Sequence, residues 1–424
     1  MSDISIMPTP LTGTVKVPTS KSVSHRAVIC AALAEGTSKL KGILVSDDLI
    51  ATIAAMEALG AIIHQQDDTL IITGTDCQKP LHNVIDCNES GSTLRFLIPL
   101  GLNGHTTTFI GRGKLVERPL DDYFNILNEQ QIPYQTTDGH LPLTVTGVLH
   151  PGIFHLRGDV SSQFVSGLLF ALPRLAGDSS IIITTEMESK GYIDLTLAML
   201  ARFGIKVINQ NYQKFIIPGK QKYQSTDYQA EGDYSQVAFW LAAGALGSPI
   251  SSTGLHPDSL QGDKVIVDLI KEMGGKLIQK GNTIDSSPAI TKGIVIDASQ
   301  CPDLVPILTV LAAVSDGTTQ IIRAGRLRIK ECDRLKAITQ ELNKLGADVE
   351  EYEDSLTIHG RRQLIGGVVD SWHDHRIAMA LAIASITCKQ PVTIQHSECV
   401  SKSYPDFWQD FQMLGGKIHE RHVG

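Results

Sequence analysis

A chain of 424 residues is too long for one ordinary hydrophobic core, so two domains of roughly 200 residues each are expected. Its composition, 42% hydrophobic with 19% charged, excludes a disordered or collagen-like chain. With 37 basic against 45 acidic residues, a net charge of −8 and no block of like charges, it is not built to neutralise a nucleic-acid backbone, and any cationic site must be local.

Along the chain, the first strongly apolar helix falls in SKSVSHRAVICAALA, and the first amphipathic helix ends in MEALGAII, where Gly60 is placed for a left-handed cap. A hairpin pattern follows in AIIHQQDDTLIITG, two short strands about a polar turn. The same signals then recur. SGSTLRFLIPLGL supplies the second apolar helix, NEQQIPY a degenerate cap with Gln131 in place of glycine, and PYQTTDGHLPLTVTG a hairpin. SSQFVSGLLFALPRLA, ARFGIKV with Gly204 and KVINQNYQKFIIPG make the third copy. GDYSQVAFWLAAGALG and KEMGGKLI with Gly274 belong to the fourth, and PDLVPILTVLAAV, NKLGADV with Gly346 and DVEEYEDSLTIHG to the fifth. DHRIAMALAIASI and QMLGGKI with Gly415 make the sixth.

The caps are 71, 73, 70, 72 and 69 residues apart, and Ser22, Ser92, Ser162, Tyr234, Leu304 and His375 mark equivalent helix starts at the same step. Six units of strand, buried helix, strand, amphipathic helix and two strands follow, an α/β architecture with three units in each lobe. Helices apolar on every face must be wrapped by other elements. If those of one lobe run parallel, their N-termini share an end that attracts anions.

Those starts carry Lys21, Ser22 and Arg26; Gly91, Ser92 and Arg95; Ser161, Ser162 and Gln163; and Asp374, His375 and Arg376. Serine is a favoured N-cap, so the serines alone are equally well explained by capping. Arginine in a first turn opposes the helix dipole, and Arg26, Arg95 and Arg376 read better as ligands of a bound anion. Lys114, Arg118, Lys190, Lys330, Arg334 and Lys402 lie in the connections, individually surface charges but together enough for two anionic groups. Asp303, Glu331 and Asp374 stand among them as carboxylates able to move protons.

No GxxxxGK[ST], GxGxxG or HExxH motif and no calcium-loop pattern occurs, so nucleotide hydrolysis, NAD chemistry and zinc catalysis are unsupported, and no metal is implied. The doublet Asp47-Asp48 reads as a cap of the helix that ends at Gly60. The seven cysteines, without metal-ligand spacing, read as reduced thiols. The opening MSDISIMPTPLTG lacks a basic start followed by an apolar stretch, and no apolar run is long enough to span a bilayer. A cytoplasmic protein without a membrane partner is expected.

The segments SKSVSHR, SGSTLR, ERPLD, SSQF, SKGYID, EGDYS, RIKECDRL, DHR and SKSYPDF resemble, in the same order, the motifs of the 5-enolpyruvylshikimate-3-phosphate synthase family, from about residue 15 to 410. The resemblance implies a two-lobed inside-out α/β barrel of six βαβαββ repeats. Residues 1–19 with 231–424 would form one lobe and 20–230 the other, with hinge crossings near 19–20 and 230–231 and lobes that close over substrate. It implies transfer of the enolpyruvyl group of phosphoenolpyruvate to the 5-hydroxyl of shikimate 3-phosphate, releasing phosphate through a tetrahedral intermediate, with no cofactor, no nucleic-acid partner and a monomeric chain.

Residue by residue, the resemblance puts shikimate 3-phosphate on Ser22, Arg26, Ser161, Ser162, Gln163, Ser189, Tyr192, Asp303 and Lys330. Phosphoenolpyruvate goes to Lys21, Gly91, Arg118, Gln163, Arg334, Arg376 and Lys402, and proton transfer to Lys21, Asp303 and Glu331. The chain departs from the common pattern at Thr19, at His25 where asparagine is frequent, and at Glu89-Ser90, which leaves response to glyphosate open. Two alternatives stand beside this reading. A transferase acting on UDP-N-acetylglucosamine shares the chemistry but usually has a cysteine where this chain has Gly113, and asparagine after the lysine where this chain has Ser22. A non-catalytic anion-binding protein on the same fold would have lost Lys21, Asp303, Glu331 or Arg118, and all four are present. The related RNA 3′-phosphate cyclases are disfavoured by the acidic net charge.

Overall fold

The computed structural model describes residues 2–43 and 45–422. The chain folds as two compact units, Met1–Pro18 with Glu231–Gly424, and Thr19–Ala230. Thr19, whose Cγ2 lies beside Gly42, goes with the latter. The helices of the unit Thr19–Ala230 are, in order, α1 (Lys21–Leu33), α2 (Asp47–Ala58), α3 (Gly91–Leu97), α4 (Asp121–Glu129), α5 (Ser162–Ala171) and α6 (Lys190–Arg202). The other unit has α7 (Tyr234–Leu246), α8 (Ile266–Glu272), α9 (Val305–Ala313), α10 (Arg334–Lys344), α11 (His375–Ala384) and α12 (Phe407–Met413). Odd-numbered helices are the inner ones. Every residue of α9 and α11 is buried, as their apolar sequences demand of helices enclosed on all sides.

Side-chain caps set where most inner helices begin. Ser20, Ser90, Ser161, Asp233 and Asp374 accept from the N–H groups of Val23, Thr93, Gln163, Ser235 and Arg376, while α9 opens instead through a single turn at Pro302–Leu304. Each outer helix stops at a left-handed residue: Gly60, Gly204, Gly274, Gly346 and Gly415 have φ between 80° and 108°. Gln131, the degenerate copy, adopts the same conformation at φ 56°, so the repeat's geometry overrides the residue's preference.

Each of the six repeats builds a four-stranded sheet in which an edge strand runs parallel to its neighbour and the other two strands are antiparallel. In four of the sheets the parallel pair brackets the inner helix, as in Val84–Asp86, α3 and Asn103–Ile110. Three sheets borrow a strand from a distant part of the chain. Gly13–Lys16 supplies the parallel edge beside Ile250–Thr253, and Tyr228–Gln229 does so beside Thr37–Lys41. Ser2–Met7 lies between Val392–Gln395 and Lys417–His422, taking the place of the last strand of the sixth hairpin. Helix α7 is locked to α12 by Trp240, which stacks on Phe407 at 5.1 Å and donates to the Tyr404 hydroxyl at 3.1 Å. Burying such a side chain contributes about 1.5–3 kcal/mol.

Candidate active site

In the unit Thr19–Ala230, Lys21 opens α1 and its Nζ donates to Asp48 Oδ2 at 2.8 Å. The expectation that Asp47-Asp48 caps α2 does not hold. Ser46 occupies the N-cap position without a side-chain cap bond, and the Asp48 carboxylate turns toward Lys21. Sequence reading missed this pairing because the partners lie 27 residues apart on different helices.

Arg26 and Arg95 correct a second expectation. Neither is in a first turn: Arg26 is the sixth residue of α1 and Arg95 lies in the last turn of α3. Arg26 braces α1 against α6, donating to Thr196 Oγ1 (2.8 Å), the Ser22 carbonyl (2.7 Å) and the Tyr192 carbonyl (3.0 Å), with Phe96 under its guanidinium. Burial pulls its pKa down to about 10. Arg95 donates to Gln163 Oε1 (2.9 Å) and the Pro119 carbonyl (3.2 Å), and Gln163 Nε2 donates to Ser92 Oγ (3.0 Å). The starts of α3 and α5 therefore adjoin, and Gln163 is held from both ends.

Arg118 is 7% exposed and lies over Gly91, where an added Cβ would sit 2.6 Å from Arg118 Nη1. Ser161 serves as the α5 cap, whereas Ser22 and Ser92 stand inside their helices and keep their hydroxyls off the cap position. Ser189 precedes α6 in a left-handed conformation (φ 53°, ψ 45°), a strained backbone of the kind that gathers at functional sites, and Tyr192 follows one turn on. Lys114 is exposed and pairs with Glu117, whereas the half-buried Lys190 lies over the Tyr212 ring at 5.6 Å.

The other unit gathers a cluster of three cations and three carboxylates. Arg334 is 1% exposed and reaches Asp374 through Nε (2.7 Å), Asp303 through Nη1 (2.8 Å) and Glu331 through Nη2 (2.6 Å). Arg376 donates to Asp303 Oδ2 (2.9 Å) and Ser235 Oγ (3.3 Å), which joins the starts of α7, α9 and α11. Lys330 Nζ lies 3.8 Å from Asp303 Oδ1, and Lys402 Nζ donates to the His373 carbonyl at 2.9 Å.

Burial alone would raise the Asp303 pKa, but Arg376, Lys330 and Arg334 outweigh it and hold the carboxyl well below the usual range. Burial, aided by Arg326 and Arg334 and opposed by Asp303 and Glu331, pulls Lys330 down to about 8. Burial acts against the Arg334 charge, yet Asp374, Glu331 and Asp303 keep it firmly protonated. Such a cluster can exchange carboxylates for an incoming anion and place proton carriers beside it.

Among the described residues, no group of three or more His, Cys, Asp or Glu side chains is placed to hold a metal, and no helix is long and apolar enough to cross a membrane. The seven cysteines are free and buried.

Residues 6–411 match the family model for EPSP synthase (3-phosphoshikimate 1-carboxyvinyltransferase). Curated relatives called 3-phosphoshikimate 1-carboxyvinyltransferase from Clostridium kluyveri and Clostridium novyi are 56% and 54% identical, with both chains covered in full. A solved EPSP synthase from Acinetobacter baumannii gives a TM-score of 0.83 at 26% identity over the whole of both chains. The enolpyruvyl transferase NikO from Streptomyces tendae gives 0.81 at 17% identity, covering all of this chain and 99% of that one, a likeness of fold. The motif order read from the sequence, the six-repeat fold and these matches agree, and the chain belongs to the EPSP synthase family.

Proposed function

We propose that this chain, as a cytosolic monomer, transfers the enolpyruvyl group of phosphoenolpyruvate to the 5-hydroxyl of shikimate 3-phosphate and releases phosphate. The observation that carries the reading is the Asp303–Arg334–Arg376 cluster, which puts an ionised carboxylate between two arginines suited to an anion. Shikimate 3-phosphate is assigned to Ser22, Arg26, Ser161, Ser162, Gln163, Ser189 and Tyr192 with Asp303 and Lys330. Phosphoenolpyruvate is assigned to Lys21, Gly91, Arg118 and Gln163 with Arg334, Arg376 and Lys402. Arg26 uses three of its five N–H donors inside the unit and keeps two for the ligand.

The chemistry needs a base for the 5-hydroxyl proton and an acid for C3. When phosphoenolpyruvate engages Arg334 and Arg376, its negative charge raises the proton affinity of Asp303, which then accepts the hydroxyl proton as O5 bonds to C2. Glu331 or Lys21 protonates C3, giving a methyl group. Loss of a C3 proton and cleavage of the C2–O bond then restore the double bond and release phosphate. No metal or organic cofactor enters this scheme.

The UDP-sugar alternative is disfavoured at Gly113, which stands at φ 54°, a left-handed backbone that suits glycine, and where the cysteine of that group would have to displace the Glu89 carboxylate, 2.8 Å from an added Cβ. Phosphate release from phosphoenolpyruvate without added metal, with shikimate 3-phosphate or UDP-N-acetylglucosamine as acceptor, tests the assignment. Release with the former alone is expected; release only with the UDP-sugar overturns it.

A further inference from the structure

Behind the Lys21–Asp48 pair lies a second polar contact between the same two helices. His25 Nδ1 is 2.7 Å from Thr52 Oγ1. His25 is four residues after Lys21 and Thr52 four after Asp48, so both contacts stand on the same helix faces, one turn apart. The outer rung is partly open, its side chains 15% and 10% exposed, whereas His25 and Thr52 are fully buried. The inner rung continues into α3. Thr52 Oγ1 is 2.6 Å from Thr93 Oγ1, and Thr93 Oγ1 donates to Ser90 Oγ at 2.7 Å, with the Asp48 carbonyl 3.4 Å away. Ser90 is the cap that starts α3 at Gly91.

Each hydroxyl has one proton, so the order of donors is fixed from the far end. Thr93 donates to Ser90, Thr52 then donates to Thr93, and His25 must donate to Thr52 through Nδ1–H. That leaves Nε2 bare, and it is a buried nitrogen without a hydrogen-bond partner. Burial first, then the charges of Lys21 and Arg26, keep the ring neutral by holding its pKa well below the usual value. Apolar side chains would fill this space without an orphan nitrogen, but they tolerate sliding; a satisfied chain of hydrogen bonds admits one register.

We propose that His25, Thr52 and Thr93 are positioning residues that set the Lys21 ammonium and the α3 start at Gly91 for phosphoenolpyruvate. The inference rests on the assignment of Lys21 and Gly91 above. Shikimate 3-phosphate contacts should be spared, because Arg26 is anchored separately on Thr196 and the Tyr192 carbonyl.

The test compares His25→Leu, Thr52→Val and His25→Asn in the full-length chain by steady-state kinetics and thermal unfolding. Because a displacement near 1 Å can cost about a hundredfold, His25→Leu and Thr52→Val are expected to lower kcat/KM for phosphoenolpyruvate about 10- to 100-fold. The KM for shikimate 3-phosphate should stay within about twofold, the scale of uncoupled sites. His25→Asn, whose amide can donate to Thr52, should recover to within about threefold of wild type, since it keeps the donor. In a Lys21→Ala background, Thr52→Val should cost clearly less than in the wild-type chain, because one of the two groups it positions is gone and only the α3 start at Gly91 remains to be displaced.

Unchanged phosphoenolpyruvate kinetics in a folded Thr52→Val, equal losses for both substrates, or the full loss persisting in Lys21→Ala would overturn the proposal. A wild-type chain that does not turn over the two substrates would instead refute the proposed function.

Discussion

Gly91→Ala probes the phosphoenolpyruvate assignment with little risk to the fold. Its backbone is not left-handed, and alanine in the first turn of α3 is favoured over glycine by roughly 0.5–1 kcal/mol. The new Cβ would lie 2.6 Å from Arg118 Nη1, whereas ordinary contact begins at 3.4 Å, so the guanidinium must retreat by about 0.8 Å. A charge-assisted bond near 2.9 Å would stretch to about 3.7 Å, past the range of a hydrogen bond. Losing one such bond costs about 1.5–3 kcal/mol, equivalent to roughly 10- to 150-fold in affinity. The KM for phosphoenolpyruvate, measured by phosphate release at saturating shikimate 3-phosphate, should rise within that range while the thermal midpoint holds. A folded variant with unchanged KM would refute the placement of Arg118 on the ligand.

Asp303→Asn should lower kcat about 10²–10⁴-fold with a smaller effect on KM for shikimate 3-phosphate, since it removes a proton acceptor; comparable losses in both would make Asp303 a binding residue only. Lys330, with its pKa near 8, is charged below that pH and neutral above it, so affinity for shikimate 3-phosphate should be full below about pH 8 and fall as pH rises through it. Calorimetry at pH 8.5 in two buffers of different ionisation enthalpy should show proton uptake on binding, abolished in Lys330→Met. Gln131→Gly should stabilise the unit Thr19–Ala230 by about 0.5–1 kcal/mol, because glycine carries the left-handed conformation without Cβ strain. A lower unfolding midpoint would contradict this.

The repeat was legible because its signals are local. A glycine after an amphipathic helix and a serine before an apolar one each report a few neighbouring backbone groups, and Gly60 and Ser90 do what their positions imply. Even Gln131 was legible, through spacing rather than residue type. The site was legible as a set of charges but not as a set of partners. Lys21–Asp48, Arg334–Asp374 and Arg376–Asp303 join residues on different elements, separated by 27, 40 and 73 positions. For the same reason the inward partners of Arg26 and Arg95, Thr196 and Gln163, were hidden in the sequence. Strands borrowed across the chain, such as Ser2–Met7, were equally hidden, since pairing partners near residues 392 and 417 leave no mark on the strand itself.

Addition followed by elimination requires C3 of phosphoenolpyruvate to become a methyl group before it returns to a methylene, whereas direct displacement would leave its two hydrogens untouched. Proton NMR of the product formed from shikimate 3-phosphate and phosphoenolpyruvate in deuterium oxide, without added metal, distinguishes the two. Deuterium in the enolpyruvyl methylene is the expected result. A product formed at full rate with a wholly protonated methylene would contradict the proton-transfer roles of Lys21, Asp303 and Glu331.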